Sequence, residues 1–137
     1  MTFMRNKVIT VITVFALTAG SALALTPLPE EKHINNSLMA GFVADTIRKT
    51  CPSISGRVFL ALAKLQGLKR YALAKGYKED DVRAFIKDPK EKARVKGMAA
   101  AYLKEHGAVP GDVQSYCKVG YDEIAKKSLI GQLLRAR

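Results

Sequence analysis

The sequence predicts an all-α fold: a compact bundle of about five helices with one disulfide, preceded by a cleaved signal peptide. Three observations predict it. Beyond the first two dozen positions, apolar residues recur at helical spacing and no stretch alternates apolar and polar for long. Each periodic stretch carries its own start and stop residues. The only two cysteines, Cys51 and Cys117, stand 66 positions apart in a chain that opens with an export-type leader, the setting in which two thiols become a bridge. A length of 137 residues is one domain's worth, and 48% hydrophobic residues with interspersed charge exclude a disordered or collagen-like chain.

The leader comes first. Arg5 and Lys7 precede the apolar run Val8 to Ala19, and Ala22 and Ala24 form an A-x-A site, so residues 1–24 read as a signal peptide cleaved after Ala24. The apolar run is shorter than the roughly 20 residues of a membrane span. The expected location is the periplasm. Residues 25–35, with Pro27 and Pro29, read as an extended arm, and residues 36–137 as a single helical domain.

The first helix is expected from about Asn36 to Lys49, capped by Asn35 or Asn36, with Leu38, Met39, Phe42, Val43 and Ile47 on one stripe and Cys51-Pro52 as its stop. The second follows Ser53 or Ser55. Its stripe Val58, Phe59, Leu62, Leu65, Leu68 and Ala72 reads as buried, and Gly76 as a left-handed stop. A shorter helix covers about Glu79 to Ile86, with Glu79, Asp80 and Asp81 at its dipole-positive end. Asp88-Pro89-Lys90-Glu91 then carries a cap, a first-turn proline and a glutamate three residues on, opening a fourth helix that runs to His106 and Gly107. Asp112 opens a fifth, with Val113, Tyr116, Cys117, Gly120, Ile124 and Ala125 inward. Ser128 caps a last short helix, Leu129 to Leu134, with Arg135 and Arg137 near its end.

Several patterns carry the residue types of catalysis without the rest of a site. Ser115-Tyr116-Cys117-Lys118 matches S-x-x-K, but the S-D-N and K-T-G elements that accompany it in penicillin-recognising enzymes are missing. His33 and His106 are the only histidines, too few for zinc unless Glu30, Glu31 or Glu105 joined them. The acid pairs Glu30-Glu31, Asp80-Asp81 and Asp122-Glu123 read as solvated acids at or near helix starts, because adjacent residues on a helix diverge. The expectation is no catalytic residue, no metal and no cofactor.

Charge is the stronger signal. Between Lys64 and Lys104 the chain holds 12 basic and 5 acidic residues, out of a formal net charge of +11 for the whole. Lys64, Lys69, Arg70, Lys75, Lys78, Arg83, Lys87, Lys90, Lys92, Arg94 and Lys96 form a candidate face for an anionic partner such as a headgroup layer or an acidic protein. A plain solvated face competes with that reading, and export argues against nucleic acid as the partner.

The segment Leu25 to Asn35, the Cys51-Pro52 junction and the run from Tyr116-Cys117 to Ser128-Leu129-Ile130-Gly131 resemble a family of small exported alphaproteobacterial proteins classified only as a domain of unknown function. The resemblance covers nearly all of the chain after Ala24. It implies no catalytic residues to carry over, and an accessory role at a membrane complex of the respiratory chain. The expected function is therefore that of a periplasmic binding or structural accessory protein. A periplasmic chaperone or immunity-type inhibitor is the first competitor, and an enzyme with an unrecognised site the second.

Overall fold

The computed structural model describes residues 23–137, so the leader reading falls outside the described residues except for its last two. After a single 3-10 turn at Leu28–Glu30, the helices are α1 (Lys32–Thr50), α2 (Val58–Lys75), α3 (Glu79–Lys87), α4 (Pro89–Glu105), α5 (Val113–Lys126) and the one-turn α6 (Leu129–Gln132). Two three-residue strands, β1 (Ile54–Gly56) and β2 (Leu134–Ala136), pair antiparallel with Ser55 opposite Arg135. Periodicity does not reveal strands this short. They replace the expected end of the last helix, so Arg135 lies on a strand.

Helix α1 is the strut around which the rest is built. It begins at Lys32, which shortens the expected arm, because Glu31 caps it: the carboxylate accepts from the Ile34 N–H at 2.6 Å. Asn35, expected as a cap, lies inside the helix and its side-chain amide donates to the Leu28 and Glu31 carbonyls. Ala40, Val43, Ala44 and Ile47 are buried along α1, against Ala99 and Leu103 of α4 and Cys117 and Val119 of α5. Small residues let these helices approach closely. A Cβ on Gly120 would lie 2.5 Å from Ile54 Cδ1 and 2.8 Å from Ile47 Cγ2, so this position admits nothing larger than glycine.

Cys51 and Cys117 are bonded, with Cα atoms 5.1 Å apart. Both are buried in the main core, which joins the end of α1 to the middle of α5. The expected caps at Asp88, Asp112 and Ser128 all form: they accept from the backbone N–H of Lys90, Ser115 and Gly131 respectively. Gly76 ends α2 in the left-handed region at φ 105°. On α5 the buried side differs from the expected one. Val119 and Glu123 are inside, whereas Val113 and Ala125 are exposed.

The largest departure is α2. Of its expected buried stripe only Ala72 is buried and Leu68 is half-buried, whereas Val58, Leu62 and Leu65 are exposed and Phe59 is 89% exposed. The reason is positional. The β1–β2 ladder and the Arg57 N–H bond to the Leu133 carbonyl, 2.8 Å, hold the entry of α2 beside α6. Its far end joins a second small cluster of Ile34, Ala72 and Val82 with Leu38, Leu68, Tyr71 and Phe85 around them. The middle of α2 spans the gap between these two anchors with its apolar side uncovered.

Opening the disulfide frees a 66-residue loop in the unfolded chain, so the Cys51→Ala/Cys117→Ala double variant is expected to lose about 4 kcal/mol of stability in urea denaturation. Gly120→Ala, with no room for its methyl group, is expected to lose roughly 1–3 kcal/mol in the same measurement.

Candidate functional site

The uncovered side of α2 forms one wall of a groove of about 620 Å³, and α1 forms the other. Leu38 and Phe42 of α1 face Ala61, Leu62, Leu65 and Leu68 of α2, with Leu129 and Leu133 beneath. Its polar groups are few. His33 and Ser37 line it on α1, together with Asp45 and Arg48; Arg57 and Lys64 line it at the start and along α2. Arg48 is ion-paired with Asp45 at 2.5 Å, and its stem crosses the backbone of Gly56. Lys49 holds the same carboxylate at 2.6 Å. Burial of Asp45 works against its charge, but the two cations outweigh it and keep its carboxyl below the usual range.

Two carboxylates fix the frame around this groove, and neither is the solvated acid its pairing suggests. Glu31, 7% exposed, accepts from the Tyr71 hydroxyl at 2.9 Å as well as from Ile34, with the Lys75 ammonium 3.6 Å away. Burial pushes its carboxyl up, but these three donors prevail and the group sits below its ordinary value. This contact ties the far end of α2 to the start of α1, and His33 packs edge-on against Tyr71 with ring centroids 4.4 Å apart. Glu123, 1% exposed, accepts from the Tyr102 hydroxyl at 2.6 Å and from the Ser128 hydroxyl. Burial, the hydrogen bond to Glu123 and its negative charge push the Tyr102 hydroxyl up to about 12. His106 stacks on Tyr102 at 3.8 Å.

The S-x-x-K residues are turned to other uses. The Ser115 hydroxyl accepts from the Val109 N–H and donates to the Asp112 carbonyl, while Lys118 pairs with Asp122 at 2.8 Å. The two histidines lie in separate clusters, one against Tyr71 and one against Tyr102. Among the described residues no group of three or more His, Cys, Asp or Glu is arranged to hold a metal ion.

The eleven basic residues are spread over α2, α3, α4 and the turn between α2 and α3. Four are engaged. Lys69 and Arg83 meet at Glu79, Lys75 approaches Glu31, and Arg94 bridges Glu91 and the Asn35 side chain. The Lys69 ammonium, with Arg83 second, holds Glu79 below its ordinary value. Among the described residues, Lys64, Arg70, Lys78, Lys87, Lys90, Lys92 and Lys96 have no carboxylate within 4.0 Å, and Lys96 sits 5.7 Å above the Phe42 ring. The sequence carries no specific signal for the groove: Gly41 and Gly67 are glycines inside helices, but so are Gly97 of α4 and Gly120 of α5, which do not line it.

Fold and site define a small helical protein stapled by one disulfide, with an open apolar groove between two helices and cations around it. No helix among the described residues is long and apolar enough to cross a membrane. The chain belongs to DUF5333, a family of unknown function whose model matches residues 26–135. Neither a curated protein nor a solved structure matches it.

The two buried carboxylates give separate tests. Because Glu31 is depressed in the folded state, its contribution is present above its ordinary 4.5 and is lost as pH falls through the lower folded value; Glu31→Gln is expected to flatten the acid limb of the stability profile. In an ultraviolet titration one of the five tyrosines is expected to ionise last, near 12, and that late phase should vanish in Tyr102→Phe.

Proposed function

We propose that the protein is exported to the periplasm and acts there as a binding or structural accessory protein, docking through its basic surface on an anionic partner at a membrane complex. The respiratory chain is the setting that the family resemblance suggests. One observation carries the reading: seven of the eleven predicted basic residues have no carboxylate partner among the described residues. Cations that are not neutralised within the molecule steer it toward acidic surfaces over the range of a Debye length, about 8–10 Å at ordinary salt. The bridge between Cys51 and Cys117 supports an oxidising compartment. The internal bonding of Ser115, Glu31 and Glu123 supports a role without catalysis, since these three groups are engaged within the fold.

A second reading, a periplasmic chaperone, draws on the exposed apolar side chains of α2. Its mark would be capture of unfolded proteins independent of salt.

Crosslinking and pull-down from the native envelope at low and high salt distinguishes the two. Docking predicts a defined membrane-complex partner that is lost at high salt and weakened by Lys90→Glu/Lys92→Glu. A partner set unchanged by salt and by charge reversal would contradict it.

A further inference from the structure

We propose that the groove between α1 and α2 binds a single long-chain fatty acid, with its chain laid between the helices and its carboxylate held at Arg57. This goes beyond docking through the basic surface and shares only Lys64 with it.

The volume fits. About 620 Å³ lies within the range of roughly 300–1,000 Å³ in which small-ligand sites fall, and such sites are mostly apolar with a few placed polar groups. The α2 wall from Arg57 to Leu68 spans roughly 16 Å at 1.5 Å per residue, a length suited to an extended chain rather than a compact ligand.

The helix walls are cut back where a chain would lie. A Cβ on Gly41 would meet nothing within 4 Å, and one on Gly67 only the Arg70 guanidinium at 3.9 Å. Glycine inside a helix is destabilising relative to alanine, and neither position is crowded by the protein itself. This is the opposite of Gly120, where the protein's own core requires the glycine. Gly97 on α4, outside the groove, is equally open, but Gly41 and Gly67 stand on the two facing walls of one apolar groove and widen it.

The charges select the head. Arg48 is neutralised by Asp45, and its stem lies across Gly56, next to Arg57. Arg57 has no carboxylate within 4.0 Å among the described residues, and its guanidinium makes only a 3.4 Å contact to the Gln132 carbonyl. Arg57 lines the groove, and a guanidinium engaged only by one long bond to a carbonyl keeps N–H donors for a carboxylate. Lys64, half-buried, lines the same wall.

The test is titration of palmitate into the full protein purified from the envelope, stripped of lipid, with displacement of anilinonaphthalene sulfonate as the readout. The proposal expects saturable binding at one palmitate per chain. Gly41→Leu, which fills the groove while improving helix propensity, should abolish it with the melting temperature unchanged or raised; Gly67→Leu repeats the test from the other wall. Arg57→Gln should weaken palmitate by about tenfold or more, the scale of a lost charge-assisted contact, and leave palmitate methyl ester unaffected. Absence of saturable binding, or binding indifferent to both leucine variants, would overturn the site. Equal affinity for palmitate and its methyl ester would overturn the role of Arg57. Lysophosphatidylglycerol bound more tightly than palmitate would overturn a free fatty acid as the ligand, and an acidic amphipathic peptide that binds where palmitate does not would replace it with a protein partner. Salt-dependent docking is read separately, with the leucine variants retaining it.

Discussion

The bond between Cys51 and Cys117 decides where the chain goes after its central helix. It holds the end of α1 against the middle of α5, with Gly120 one turn along making room for Ile47 and Ile54. From there β1 must run beside β2, so α2 starts at the α5–α6 side of the molecule rather than flat against α1. The side of α1 that α4 and α5 cover is dense with alanine and β-branched residues; the side toward α2 is left with Leu38, Gly41 and Phe42 bordering a groove. One covalent constraint at the core thus has its main consequence at the surface.

Buried charge completes the frame. Desolvating a carboxylate is costly unless donors replace the water, and both buried glutamates have donors from separate parts of the chain. Glu31 takes Tyr71 from α2, and Glu123 takes Tyr102 from α4 and Ser128 from the cap of α6. Each carboxylate is therefore a joint between elements. The Glu31 joint ties the far end of α2 to the start of α1, and the strand ladder with the Arg57 N–H bond to the Leu133 carbonyl holds the entry of α2.

Much of this was legible in the sequence, for reasons that also mark where legibility stops. The caps at Asp88, Asp112 and Ser128, the stop at Gly76 and the disulfide depend on local residues or on the absence of any other cysteine, and all form. By residue type Asn35 is a better cap than Glu31, so the sequence points to a later start for α1, whereas the Asn35 amide is used inside the helix. The stripe on α2 is correctly periodic, but period says which residues share a face and not whether another element covers it. Glu31 and Glu123 look like their exposed neighbours Glu30 and Asp122, because Tyr71 lies 40 residues from Glu31 and Tyr102 lies 21 from Glu123. Three-residue strands and a groove open on one side leave no pattern in a single chain.

The account rests on α2 being anchored at its two ends and unsupported between them. Amide hydrogen exchange followed residue by residue tests that claim most directly. The account predicts that the amides from Leu62 to Leu68 exchange well before those of α1 between Val43 and Ile47 and those of α5 around Val119, while the stretch around Ala72 is slower than the middle of its own helix. Uniform slow exchange along α2, equal to that of α1, would contradict it and would mean that the groove is part of a closed core.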